Sequence, residues 1–256
     1  MASDPPWRFI VIAEDRLGAE NATLLADRVM QSMPPDRTIS TELDHLRHWT
    51  GVEDHESFTP LSSLSTKNKR TPGGFNQGLH GRFPGESTLA DSRQTRLAIL
   101  RFKTSDPAAQ LLVIARDGDG EGERRKGFRE AWEVRGSPPD VVLALMEPAA
   151  ESWRFRGYKP ETPVESEKIE AHRKSLGFDP TTRPHEFPNG PEGRRLAKRT
   201  LEALTEANQE RSLRTLDIDL AGAETDTDDQ TGRAEYLRDV RTGLRSLRNA
   251  WQRPRP

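Results

Sequence analysis

Residues 111–123 read LLVIARDGDGEGE, a short apolar run passing directly into a glycine-laced row of acids. The apolar part predicts a buried strand over 111–115. The acidic part has three readings: a metal site at the strand end, a calcium loop, or a solvated turn that opens a helix. As a calcium loop it has acids at positions one, three, five and seven and glycine at six. Position eight is Arg124, however, and position twelve is Phe128 where a bidentate glutamate is needed. As a plain turn, its acids would suit the start of the next helix, where the macrodipole favours negative charge. The neighbouring segments bear on the choice.

Residues 7–13, WRFIVIA, are a second buried-strand pattern, followed by Glu14 and Asp15. The next segment places Ala22, Leu25, Ala26, Val29 and Met30 at helical spacing, and Pro34-Pro35 ends it. Residues 37–43 are a weak strand candidate. From 50 to 88 the chain turns to Ser, Thr, Gly, Pro, Asn and Lys, which predicts a long flexible insertion. Ser87-Thr88 then cap a helix rich in Leu and Arg that leads into the 111–115 strand. A charged helix over 121–134, a strand over 141–146 ending at Glu147, and a helix opening near Pro148 complete the alternation. Strands alternating with helices predict an α/β fold with a mostly parallel sheet flanked by helices, its site beyond the carboxyl ends of the strands. This core is expected over residues 1–158. Residues 159–256 are expected as a helical extension, with helices over 165–176, 191–205 and 233–251, one strand candidate at 216–220, and an acidic linker near 222–232. The last helix is a candidate partner contact.

Composition narrows the function classes. The chain of 256 residues is 32% hydrophobic and 31% charged, with 19 Pro and 19 Gly, which fits a modest core with long polar excursions. The 39 basic and 41 acidic residues are interspersed, so nucleic-acid binding would need a local patch. With no cysteine, any metal must be held by oxygen or imidazole, and no thiol nucleophile exists. No segment approaches a membrane span or a signal peptide, so the expectation is a cytoplasmic protein without membrane contact.

Three predicted strands therefore end in acid: Glu14-Asp15 after the first, Asp117-Gly118-Asp119 after the second, and Glu147 after the third, with Glu151 one turn into the following helix. In a parallel sheet these carboxylates converge on one edge, where they repel unless a hard cation compensates them. Oxygen-only ligands select Mg²⁺ or Mn²⁺. The D-x-D spacing lets both side chains leave the backbone on one side, and Gly118 lets the chain bend between them.

The first-strand acid, the later-strand D-x-D and the α/β core together resemble the Toprim domain of topoisomerases, primases and OLD-type nucleases. The segment MEPAAESWRF resembles an acidic segment of small stand-alone Toprim-like proteins, often encoded beside ATPases in bacterial defence loci. The resemblance implies Mg²⁺ held by Glu14, Asp117 and Asp119, a basic residue assisting nearby, and an ATPase partner. Asp15 stands where the family usually has glycine, which leaves open which of the two first-strand acids binds metal. Lys198, in RRLAKR at 194–199, is the candidate basic residue, with Lys126 behind it; Asp15, Glu147 and Glu151 are candidates for a second ion.

KNKR at 67–70, the row Arg93, Arg96 and Arg101, and the 194–199 cluster could follow a phosphate backbone, or could be solvated helix faces. His45 and His48 could share a helix face, but no third ligand is evident; His80 and His185 lie in loop contexts. No phosphate-loop or G-x-S-x-G motif occurs. The expected function is a Mg²⁺-dependent nuclease or phosphodiesterase acting on nucleic acid, with an ATPase partner and homo-oligomer formation both open. The alternatives are a non-catalytic regulatory subunit and a nucleotidyl transferase.

Overall fold

The strand sequences alternate in a way that assigns each residue to one of two helix layers. In the computed structural model, which describes residues 7–33, 47–52, 57–64, 90–105, 109–119, 122–133 and 140–251, β1 is Trp7–Ala13, β4 is Leu111–Asp117 and β5 is Val141–Met146, with short strands β2 (Arg47–Thr50) and β3 (Thr59–Pro60). The order is β2-β1-β4-β5, every pairing is parallel, and β3 joins β1 beyond the end of β2. The fold is thus α/β with a parallel sheet, as the alternation predicts.

Because side chains on a strand alternate between faces, Phe9, Val11, Leu111, Val113, Val142 and Ala144 point to one side, while Ile10, Ile12, Leu112, Ile114 and Val141 point to the other. The first face packs against α1 (Arg16–Ser32) and the long C-terminal helix. The second packs against α2 (Ala90–Ser105) and α3 (Gly122–Glu133) through Ala98, Ile99, Phe102 and Phe128. Both faces of the central strands are apolar for this reason.

After β5 come α4 (Glu151–Phe155), α5 (Pro163–Leu176), a 3₁₀ turn at Pro184–Glu186, α6 (Gly190–Thr205), α7 (Gln209–Arg214), α8 (Leu220–Thr225) and α9 (Arg233–Trp251). A Thr162/Glu165 capping box starts α5 and left-handed Gly177 ends it. Phe155, Tyr158, Phe178, Phe187, Ala197, Leu201 and Leu204 form a satellite core that holds α6 against α4. The expected extension is not all peripheral. In α9, Tyr236, Leu237, Val240 and Leu244 complete the first core face, and the Tyr236 hydroxyl donates to the Ala22 carbonyl at 2.7 Å.

Several local expectations are corrected. Residues 216–220 form no strand: Asp219 caps α8, and the backbone of Leu216 turns back on Leu213. The acidic linker is docked, not free. Asp229 accepts from the Thr231 and Ala234 backbone, Asp226 pairs with Arg156, and the Thr231 carbonyl receives both Trp153 Nε1 and the Glu147 N–H. His48 lies exposed on strand β2, not on the helix expected for it. Within the expected 50–88 insertion, Thr59–Pro60 joins the sheet and Leu61 and Leu64 enter the core. The strand candidate at 37–43, His45, KNKR at 67–70, His80 and the Ser87-Thr88 cap lie outside the described residues.

Candidate functional site

The acids of the first two strand ends are brought together by the register of β1 and β4. Ala13 lies beside Ala115, and the Glu14 N–H donates to the Ala115 carbonyl at 3.0 Å, so Glu14 sits next to the start of the D-x-D turn. That turn is stitched to the end of β5: the Gly118 N–H donates to the Met146 carbonyl at 2.8 Å and the Asp119 N–H to the Pro148 carbonyl at 2.9 Å. Asp119 has a left-handed backbone (φ 51°), a conformation Asp tolerates better than bulkier residues. A Cβ at Gly118 would fall inside the Glu147 carboxylate, so glycine is what allows the third strand's acid to lie over the turn. The sequence expectation that acids from three strand ends share one edge is met in this arrangement.

The carboxylates are held in a common way. Asp117 Oδ1 accepts from the Ala150 N–H at 2.9 Å, leaving Oδ2 3.9 Å from Arg194. Asp119 Oδ2 is taken by Arg124, leaving Oδ1 3.4 Å from Arg194 Nε. Glu14 Oε2 faces Arg116 Nε at 3.5 Å, and its Oε1 faces Arg194 at 3.5 Å. Asp117 and Asp119 each have one oxygen anchored within the protein and a second directed at Arg194, whereas Glu14 has an arginine facing each oxygen and accepts a hydrogen bond from Arg194 at Oε1.

Burial decides the electrostatics. Asp117 and Asp119 are 8% and 6% exposed. Removal from water pushes the Asp117 carboxyl up to about 8, and the charges of Asp15, Glu151, Glu14 and Asp119 push the same way. Glu151, the first residue of α4, is also raised, chiefly by burial, with Asp15 adding and Arg154 and Lys198 opposing. Asp15 has a structural duty as well: its Oδ1 accepts from the Gly18 N–H at 2.8 Å and caps α1. Behind the acids Asn21 bridges the Ala150 carbonyl and Arg154 Nε, both at 2.8 Å, which locks α1 to α4.

Sequence reasoning placed the assisting cation at Lys198 and missed Arg194. Lys198 lies one turn further along α6, exposed, where its charge acts on Glu151; Lys126 is exposed on α3. Gly193 lets the first turn of α6 press against the Pro188 carbonyl, where a Cβ would overlap it, and this carries Arg194 onto the acids. The i, i+4 spacing of Arg194 and Lys198 was the available signal. Arg116, within β4, and Arg124, on α3, were also missed. Of the other described basic residues, Arg195 pairs with Glu192 at 2.6 Å, and Arg93 is exposed on α2. His185 is half-buried in its 3₁₀ turn, away from these acids. A cleft of about 260 Å³ opens along β5 between α3 and α9, lined by Phe128, Trp132, Leu143 and Asp239, and none of the acids above lines it.

The donor set suits a hard divalent cation: Glu14 Oε1, Asp117 Oδ2 and Asp119 Oδ1 are all oxygen, and Asp119 Oδ1 is buried without a hydrogen-bond partner. Among the described residues, no three acidic or imidazole groups already stand at ligating positions. The oxygens surround a guanidinium and would have to draw inward on a smaller ion. No family model, curated protein or solved structure matches the chain. Among the described residues no helix is long and apolar enough to cross a membrane.

Proposed function

We propose that the chain is a Mg²⁺- or Mn²⁺-dependent phosphodiesterase acting on nucleic acid, with the ion held by Glu14, Asp117 and Asp119. The observation that carries this reading is the convergence of one oxygen from each of these carboxylates on a single cation position, held by Arg194, at the carboxyl edge of a parallel sheet. Asp15, Glu147 over Gly118 and Glu151 on α4 are the acids for a second ion. A bound divalent ion supplies Lewis acidity, making a water nucleophilic near neutral pH and stabilising charge on phosphate oxygens.

The chain's own residues have separable duties. Arg124 and the Ala150 N–H fix the D-x-D carboxylates so that binding does not require ordering them. Arg116 aligns Glu14. Lys198 is exposed on α6, where its charge acts on Glu151, and suits a phosphate backbone passing that edge. The shared strand-end acids and D-x-D also support kinship with Toprim nucleases. The experiment is cleavage of plasmid and single-stranded DNA and RNA with Mg²⁺ or Mn²⁺; activity unchanged in an Asp117→Ala/Asp119→Ala variant overturns the assignment.

One observation favours a second reading. Arg194 already reaches all three acids, so the cluster could serve as a structural ion-pair node in a regulatory subunit of an ATPase or nucleic-acid complex. Absence of Mn²⁺ binding by calorimetry, with stable co-purification of an ATPase, would select it.

A further inference from the structure

The guanidinium of Arg194 stands where a metal bound to Glu14, Asp117 and Asp119 would have to stand. It lies 3.5, 3.9 and 3.4 Å from one oxygen of each. The two cations cannot share that space, because a guanidinium among these oxygens keeps them too far apart to meet one small ion. Arg194 is also free to leave. Its side chain is about a third exposed, it sits near the start of α6, and all three of its carboxylate contacts are longer than an ordinary charge-assisted hydrogen bond. By contrast Arg124, 16% exposed and hydrogen-bonded to both Asp119 Oδ2 and the Asp117 carbonyl, is fixed. The buried, unpartnered Asp119 Oδ1 shows that Arg194 does not satisfy the acids it covers.

We infer that Arg194 is an exchangeable place-holder: a divalent ion displaces it from the three carboxylates, and the released guanidinium then binds a phosphate oxygen of the substrate. This rests on the metal-site reading above and adds the order of events, in which phosphate recognition by Arg194 follows metal binding. A planar donor fork suits a phosphodiester better than a point charge. The arrangement also accounts for an arginine, not a lysine, at this position.

The test uses the full chain with Mn²⁺ alone as the metal probe, followed by electron paramagnetic resonance, and phenylglyoxal labelling of Arg194 read by mass spectrometry. Removing the competitor in Arg194→Ala should tighten Mn²⁺ binding about tenfold. Arg195→Ala removes the same charge from the same turn but a side chain paired with Glu192, and should change binding less than about twofold. Saturating Mn²⁺ should raise the labelling rate of Arg194 in the wild type severalfold. With Mn²⁺ bound, thymidine 5′-monophosphate p-nitrophenyl ester should bind the wild type and lose about tenfold or more in affinity in Arg194→Ala. Mn²⁺ binding without faster labelling of Arg194, or with no gain in Arg194→Ala, overturns the exchange and leaves the metal site standing. Failure of both wild type and Arg194→Ala to bind Mn²⁺ overturns the exchange together with the metal site.

Discussion

Asp117→Asn isolates the electrostatic cost that folding imposes on the site. The substitution keeps the shape and an oxygen to accept from the Ala150 N–H, and removes the ionisable group. In the folded chain the Asp117 carboxyl titrates at about 8, against 3.8 when exposed. Between those values the native state holds a proton that the unfolded chain has lost, so rising pH destabilises the wild type. The penalty is absent below about pH 4 and complete above about pH 8. At about 1.36 kcal/mol per unit, a shift of roughly four units sets a ceiling near 6 kcal/mol, and closer approach of Arg194 to the ionised carboxylate brings the expected value to about 2–3 kcal/mol. In urea unfolding with EDTA, the Asn variant should match the wild type near pH 3 and exceed it by that margin at pH 8.5. An Asn variant that is less stable at pH 8.5, or a difference that does not change with pH, would refute the reasoning.

The backbone contacts give two further expectations. Gly118→Ala forces the Glu147 carboxylate off the turn and should cost about 1–3 kcal/mol by urea unfolding; most of that cost should vanish in a Glu147→Ala background, and equal costs in both backgrounds would contradict the contact. Gly232 combines a positive φ of 80° with a close approach to the Leu145 carbonyl, so Gly232→Ala should lower stability by about 2–4 kcal/mol, read as a fall in the thermal midpoint.

The fold was legible where hydrophobic pattern alone determines structure. The 7–13, 111–115 and 141–146 segments lie in strands buried on both faces, and so read as apolar runs, with β4 running on through Arg116 and Asp117. The amphipathic faces of α1, α6 and α9 likewise matched their helices closely. What failed was short and held by tertiary contacts. Arg47–Thr50 is a strand because Arg47 and Trp49 both donate to Asp27 on α1, a partnership that spacing along the chain does not reveal. The 222–232 acids looked like a solvated linker because charge patterns do not show that Asp229 caps the approach to α9 or that the Thr231 carbonyl receives Trp153. In the site the acids were legible because each follows a strand. The arginines were not, because they come from a strand interior, a helix surface and the start of α6, and meet only in the folded chain.

The two readings of the site make different demands on Asp117. If Arg194 were the final partner of the acids, evolution of the cluster as an ion-pair node would be expected to leave its central carboxyl easily ionised, since a well-placed guanidinium favours the charged form. The opposite holds: burial, chiefly, and the charges of Asp15, Glu151, Glu14 and Asp119 raise the Asp117 carboxyl although Arg194 stands 3.9 Å away, and Asp119 Oδ1 remains buried without a hydrogen bond. A monovalent, delocalised cation leaves the acids under-compensated, whereas a compact divalent ion would place twice the charge nearer the same three oxygens. The residual frustration therefore favours a site built for more positive charge than Arg194 supplies, and it puts the stored electrostatic cost on the carboxylates that metal binding would relieve.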